Sequence, residues 1–191
     1  IRPTRLYYQQ LEAGKTREEA RETLCSLFDL SDEKIALLDE IIDAQQGLIA
    51  RNPRACDLYI GIPFCTTRCA YCSFSSGEIG DGRLVEPYLN ALFHEIEICA
   101  QMVREFGLDI RVGYIGGGTP SCYGAKRIVE ILDELKRMGN VRLDSEITVE
   151  VNPDTTKLDE LKLLRSEGVN RLSIGVQSAN NDILKIIGSR S

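Results

Sequence analysis

The 191-residue sequence has no surplus of positive charge: 23 lysines and arginines are set against 29 aspartates and glutamates, a net charge of −6. A protein that grips nucleic acid regardless of base sequence needs a basic surface to neutralise phosphates, so no nucleic-acid partner is expected. No apolar run approaches the ~18–20 residues that cross a bilayer, and no membrane span is expected. The opening stretch, IRPTRLYYQQLEAGK, is too polar for the apolar core of a signal peptide. It begins with Ile1 rather than methionine, so a segment before it is expected to be missing. Paired cysteines are also lacking, since an odd count of seven without a secretion signal argues against a disulfide framework. Histidine occurs once, as His94. What remains, 43% hydrophobic and 27% charged residues, is an ordinary globular balance, pointing to a cytoplasmic protein of one medium domain with an appendage.

Residues 1 to about 50 read as helical. In TREEARETLCSLF, Thr16 and Glu19 have capping-box spacing, and Ala20, Leu24, Leu27 and Phe28 fall on one face. SDEKIALLDEIIDAQQGLIA opens with Ser31 as N-cap, followed by Asp32 and Glu33 where the helix dipole favours negative charge. RNPR then breaks the pattern. Short β-rich runs follow at 58–64, 111–118, 146–153 and 171–178, separated by helical patterns near 84–106, 125–138, 157–167 and 180–187. Such alternation implies parallel strands joined by right-handed crossovers, hence an α/β class. Each polar or glycine-rich motif falls at the C-terminal end of a strand, the edge at which α/β folds bind ligands. Four strands leave a barrel open, so the chain reads as part of something longer.

The most informative stretch is YIGIPFCTTRCAYCSF, which places Cys65, Cys69 and Cys72 within eight residues. Thr66, Thr67 and Arg68 between them are too polar for a trio of core cysteines. A structural zinc would need a fourth ligand, for which Cys56 and His94 are the candidates, and zinc ligands more often come as two separated pairs. The remaining option is an iron–sulfur cluster, which thiolates hold. Three ligands on a four-iron cluster leave one iron open, a position useful only if a cofactor or substrate fills it. Cys25 and Cys99, isolated in apolar helical patterns, read as small core residues. Glu95, Glu97 and His94 on the helix near 84–106 read as a solvated face.

Three further signals recur at strand ends. YIGGGTP (114–120) offers three glycines, backbone N–H groups and the Thr119 hydroxyl for a carboxylate. Glu150 stands on an otherwise apolar strand, where a carboxylate needs partners such as ribose hydroxyls. Gln177 occupies the corresponding place in SIGVQS.

The spacing CxxxCxxC, with Tyr71 before the last cysteine, resembles the signature of radical S-adenosylmethionine enzymes. In that family the amino and carboxylate groups of the methionine moiety chelate the open iron, and an electron from the cluster splits the sulfonium to give a 5′-deoxyadenosyl radical. Residues 57–188 resemble more narrowly the oxygen-independent coproporphyrinogen III dehydrogenase group, through YIGIPFCTTRCAYCSF, YIGGGTPS, ITVEVNPDT and GVNRLSIGVQS. The leading helices resemble the extension of one sub-branch of that group. The resemblance implies a partial TIM-like (β/α)6 barrel at 56–191, ending after about four β/α units, behind an N-terminal helical extension at 1–55. It implies a 4Fe-4S cluster on Cys65, Cys69 and Cys72, and S-adenosylmethionine contacted by Tyr59, Gly117 and Glu150. A second S-adenosylmethionine would be contacted by Tyr71, Gly118, Thr119 and Gln177, and no catalytic residue is implied beyond the cluster.

The implied activity is oxidative decarboxylation of two propionates of coproporphyrinogen III to vinyls, giving protoporphyrinogen IX in haem biosynthesis. An electron donor such as flavodoxin or ferredoxin and a monomeric state go with it. The group also includes haem-binding chaperones, radical methyltransferases and haem-degrading enzymes, and SIGVQSANNDILKIIG is at least as similar to the chaperone branch. This sequence departs from the group in having Gly61 where HIPFC is usual, and in having Ser189 and Arg190 where a single arginine follows the GVQ stretch.

Overall fold

The computed structural model describes residues 2–47 and 52–188. The chain divides into two compact units, Ile1–Asn52 and Pro53–Ser191. Ser189 and Arg190, where the departure from the family pattern was noted, lie outside the described residues.

The first unit contains three helices, α1 (Pro3–Glu12), α2 (Arg17–Phe28) and α3 (Asp32–Ala44). Thr16 caps α2 through a full capping box, its hydroxyl accepting from the Glu19 N–H while the Glu19 carboxylate accepts from the Thr16 N–H. Ser31 stands at the N-cap of α3 with extended backbone, but its side chain makes no capping bond, contrary to the expectation. The expected run to residue 50 also ends early, at Ala44, and residues 48–50 fall outside the description. Tyr7, Ala20, Leu24, Ile35, Leu38 and Ile42 form this unit's core.

Tyr7 is fully buried, and its hydroxyl donates to Asp39 Oδ1 at 2.6 Å. Arg21 holds the other carboxylate oxygen at 2.7 Å, so one buried aspartate ties all three helices together. Burial, then the bond to Asp39, raises the Tyr7 pKa above the usual tyrosine value and keeps the phenol a donor. Tyr7→Phe removes the donor and strands a buried acceptor. The expected result is a loss of about 1–3 kcal/mol of this unit's stability, read by urea unfolding, with the aromatic packing preserved.

The second unit is built on β1 (Ala55–Ile62), β4 (Asp109–Gly117), β5 (Val141–Val151) and β6 (Arg171–Ile174), all parallel and in that order across the sheet. Helices α4 (Val85–Glu105), α5 (Ala125–Arg137) and α6 (Leu158–Ser166) form the crossovers, and α7 (Asn181–Ile186) follows β6. This is the α/β barrel architecture expected, represented by four β/α units. Alternation along the strands sorts the residues: Ile60, Ile62, Ile115, Val149 and Val151 are buried in the main core. Helix α4 answers with Leu89, Leu92, Ile96, Ala100 and Val103, spaced three or four apart on one stripe. Each fully buried aliphatic side chain contributes about 1.5–3 kcal/mol, so this layer sets the rigidity of the strand ends.

The other face is polar. Tyr59, Tyr114, Thr148 and Arg171 align across the four strands, and Glu146 takes a 2.9 Å ion pair from Arg171.

Two details of the sheet differ from expectation. The run 171–178 is a strand only to Ile174; Gln177 adopts a left-handed φ of 62° that turns the chain out of the sheet. A small parallel pair, β2 (Phe64–Cys65) with β3 (Gly77–Glu78), was not anticipated, because two-residue strands leave no periodicity to read.

Candidate functional site

The cysteine loop is anchored at both ends. At its start Ile62 and Phe64 present carbonyls that accept from the Gly118 and Thr119 N–H groups, each at 2.7 Å. At its return Gly77 and Ile79 donate to the Pro63 and Cys65 carbonyls at 2.9 and 2.8 Å. Between them a turn bonds the Cys72 N–H to the Cys69 carbonyl, and the Ala70 N–H reaches the Ile187 carbonyl beyond α7. Cys65, Cys69 and Cys72 thereby line one cavity of about 150 Å³, together with Tyr71, Gly118, Thr119 and Gln177. Thr119 Oγ1 donates to Cys65 Sγ at 3.4 Å. The Tyr71 ring is more than half exposed, and partial burial, then the neighbouring Cys69, raises its pKa.

The glycine loop is shaped chiefly for contact with β1. A Cβ on Gly117, whose φ is 116°, would lie 2.6 Å from the Ile62 carbonyl oxygen. One on Gly118 would lie 2.5 Å from the Phe64 carbonyl oxygen and 2.9 Å from Cys65 Sγ. The expectation that these N–H groups stand free for a carboxylate is therefore corrected. Gly118 and Thr119 spend theirs on strand carbonyls, and Gly117 donates to Glu150 Oε2 at 3.0 Å. Close approach of two strand ends, with the first cysteine between them, is what the glycines allow.

Beside the first cavity lies a second, of about 230 Å³, lined by Gly117, Gly118, Thr119, Glu150 and Gln177 among others. The two share Gly118, Thr119, Asn152, Gln177 and Phe74. Glu150 Oε1 accepts from the Tyr114 hydroxyl at 2.6 Å. Tyr59 lines neither cavity; it stacks on Tyr114 with centroids 5.6 Å apart and planes 19° apart. Nine of the ten residues singled out in the sequence thus surround two adjoining cavities, and the tenth lies against the partner of one of them. Sequence reading missed Tyr114, Asn152, Asp154 and Ser76. Asn152 lay within a quoted motif, where its side chain accepts from the Asp154 N–H. Ser121, the last residue of YIGGGTPS, links the loops after β4 and β5 through Thr155 at 2.5 Å, a contact that nothing in the motif itself indicated.

The remaining candidates fall elsewhere. His94 is 73% exposed on α4 and 4.0 Å from Glu97, and Cys56 lies at the N-terminal end of β1, so neither stands beside the trio as a fourth ligand. Cys99 packs against the main core and Cys25 against that of the first unit. Cys122 is nearest in kind to a ligand, but burial, then the neighbouring Cys65, pushes its thiol up to about 12, and it donates weakly to the Phe64 carbonyl. Among the described residues no three His, Cys, Asp or Glu side chains converge tightly enough to grip a single metal ion.

The profile of the Radical SAM superfamily matches residues 59–191. The chain belongs to the radical SAM superfamily. Its relatives place it in the coproporphyrinogen oxidase-like group. It is 37% identical over 194 residues to an oxygen-independent coproporphyrinogen-III oxidase-like protein, HemZ of Bacillus subtilis, covering 98% of this chain and 39% of that protein. It is 40% identical over 131 residues to the heme chaperone HemW of the same organism, covering 68% of this chain and 34% of that one. In three dimensions it matches the radical SAM enzyme coproporphyrinogen III oxidase (HemN) from Escherichia coli, with a TM-score of 0.67 and 33% identity over 78% of this chain and 34% of that one. The radical SAM chain described here therefore spans well under half the length of the relatives it matches. Among the described residues no helix is long and apolar enough to cross a membrane.

Proposed function

We propose that the two adjoining cavities hold a 4Fe-4S cluster on Cys65, Cys69 and Cys72 and an S-adenosylmethionine beside it. The protein would then serve oxygen-independent oxidative decarboxylation of a porphyrinogen, with coproporphyrinogen III as the substrate, the hydrogen leaving in 5′-deoxyadenosine and the electron left on loss of carbon dioxide passing to an electron acceptor. The observation that carries this reading is the seating of three thiols round one cavity, with the Gly117–Thr119 loop closed against Cys65. The residues fit the group: thiolates are the donors iron–sulfur clusters use, and Gly118 leaves open the volume its Cβ would take beside Cys65 Sγ. When bound, such a cluster supplies the electron that cleaves the sulfonium of S-adenosylmethionine.

This chain's residues would do the rest by placement. Cys65 sits on β2, held by backbone bonds on both sides, so its thiolate is rigidly aimed. Thr119 donates to that sulfur, an outer contact that tunes a cluster. Glu150, with both oxygens already engaged, would accept from ribose hydroxyls or the amino group of the cofactor. Tyr59 would lie against it as an aromatic wall. Tyr71 and Gln177, at the mouth of the first cavity, would contact a second S-adenosylmethionine, and an electron carrier of the flavodoxin or ferredoxin class would reduce the cluster.

A second reading, a haem-carrying protein, is supported by the similarity to HemW. The similarity to HemZ extends over nearly the whole chain, first unit included, whereas 68% is too small a share to contain both units whole. That wider similarity to an oxidase-like relative is what supports the porphyrinogen reading.

The test is anaerobic reconstitution of the protein with iron and sulfide, then S-adenosylmethionine and dithionite with or without coproporphyrinogen III. The expected outcome is 5′-deoxyadenosine together with protoporphyrinogen IX. Cleavage with no porphyrinogen product, and tight stoichiometric haem binding, would transfer the assignment to haem carriage. Zinc co-purifying in place of iron would overturn both.

A further inference from the structure

We infer that Tyr114 is a positioning residue of this site, orienting the Glu150 carboxylate toward the ligand it receives. The inference rests on the cofactor reading above and extends it to the tyrosine that opens YIGGGTP, to which the sequence assigned no role.

The placement follows from register. Tyr59 pairs with Tyr114 across β1 and β4, and Gly61 pairs with Gly116 two residues on, so tyrosines and glycines share one face in successive layers. The rings lean over the glycines. A Cβ on Gly61 would lie 3.4 Å from Tyr59 Cε1, and one on Gly116 would lie 2.7 Å from Tyr114 Cε1 and 2.9 Å from Glu150 Cδ. Absence of side chains in the glycine layer is thus what lets the Tyr114 ring and the Glu150 carboxyl group meet. Stacking on Tyr59 restrains the Tyr114 ring, and the hydroxyl at its tip donates to Glu150 Oε1 at 2.6 Å. The Gly117 N–H fixes Oε2 at 3.0 Å.

A glutamate so held has lost its rotational freedom before any ligand arrives, which is where preorganisation raises affinity. Each carboxylate oxygen accepts about two hydrogen bonds, and here one site on each is taken. One acceptor site on each oxygen remains for the ligand, a pattern suited to two adjacent donors such as a vicinal diol or an ammonium group. Tyr114 stays a donor throughout the working range, because its bond to Glu150, then burial, raises its pKa above the usual tyrosine value.

Tyr114→Phe separates the bond from the packing, since it keeps the ring, the stack and the glycine layer. Equilibrium dialysis of S-adenosylmethionine against the anaerobically reconstituted protein would compare wild type, Tyr114→Phe, Glu150→Gln and the double variant. The expected result is about tenfold weaker binding for Tyr114→Phe. The double variant is expected to be no worse than Glu150→Gln alone, because Tyr114 acts only through Glu150. Wild-type affinity in Tyr114→Phe would reduce Tyr114 to a packing ring, and fully additive losses would show that it acts by another route; either overturns the inference alone. Wild-type protein that binds no S-adenosylmethionine overturns the cofactor reading and the inference together. A ligand-free readout stands beside these: with 13Cζ-labelled tyrosine, Glu150→Gln is expected to shift the Tyr114 resonance and lower its titration midpoint. No movement would mean that the bond does not form.

Discussion

Gly117→Ala is expected to cost the barrel unit about 2–4 kcal/mol of stability and to prevent cluster assembly, while Gly77→Ala, at the return of the cysteine loop, changes stability by less than about 0.5 kcal/mol. Two effects add at Gly117. Its φ of 116° lies in a region that side-chain-bearing residues rarely occupy, and its Cβ would fall 2.6 Å from the oxygen and 2.9 Å from the nitrogen of Ile62. Those are backbone atoms of a strand paired along its length with β4 and buried beneath α4, so they cannot give way as a flexible side chain could. Relief requires β1 and β4 to part at their C-terminal ends. That parting breaks the bonds from Gly118 and Thr119 to the β1–β2 carbonyls and displaces Cys65. A Cβ on Gly77, by contrast, meets nothing within 4 Å. The measurement is urea unfolding of the ligand-free proteins, followed by iron content and visible absorbance after reconstitution. Wild-type iron content in Gly117→Ala would mean that the strand ends do not need to touch for the cysteine loop to work.

Replacement of Cys65, Cys69 or Cys72 by alanine is expected to lower iron affinity by more than about a hundredfold at each position, since loss of an outer-shell partner alone costs 10–100-fold. Cys25→Ala, Cys99→Ala and Cys122→Ala should retain iron. The most demanding of these controls is Cys122, whose thiol packs on the main core and bonds the carbonyl of Phe64, the residue before Cys65. Burial, then the neighbouring Cys65, pushes its thiol up to about 12, which disfavours the thiolate that a replacement ligand would have to supply. Iron quantification and the cluster absorbance read the series directly. Retention of a cluster in Cys69→Ala or Cys72→Ala, with loss in Cys122→Ala, would move the ligand set inward and refute the assignment to the CxxxCxxC loop.

Much of the architecture was legible in the residues, for reasons particular segments make plain. The stripe Leu89, Leu92, Ile96, Ala100 and Val103 repeats at helical spacing, and α4 forms where it says. The runs before Cys65, Gly117 and Glu150 are apolar and β-branched, and each became a strand whose end carries the motif. Failures came where local chemistry was overruled. Ser31 is a suitable capping residue whose side chain makes no cap, and VQS is strand-like in composition but lies beyond the last pair, Val151 with Ile174, and carries a left-handed backbone at Gln177.

By itself the sequence determined the cysteine spacing, the order of strands and helices, and the three later motifs, because each is written in contiguous residues with a short-range period. Only the tertiary structure decided what those motifs touch. The three glycines read as a cradle for a carboxylate until the distances to Ile62 and Phe64 showed that they admit a neighbouring strand. Glu150 read as a carboxylate awaiting a partner until Tyr114, 36 residues earlier, and the Gly117 N–H were found to hold it. Contacts of this kind depend on parallel register between strands separated by whole crossover helices. No local pattern encodes that register, because it is set by the packing of α4 and α5 on the sheet.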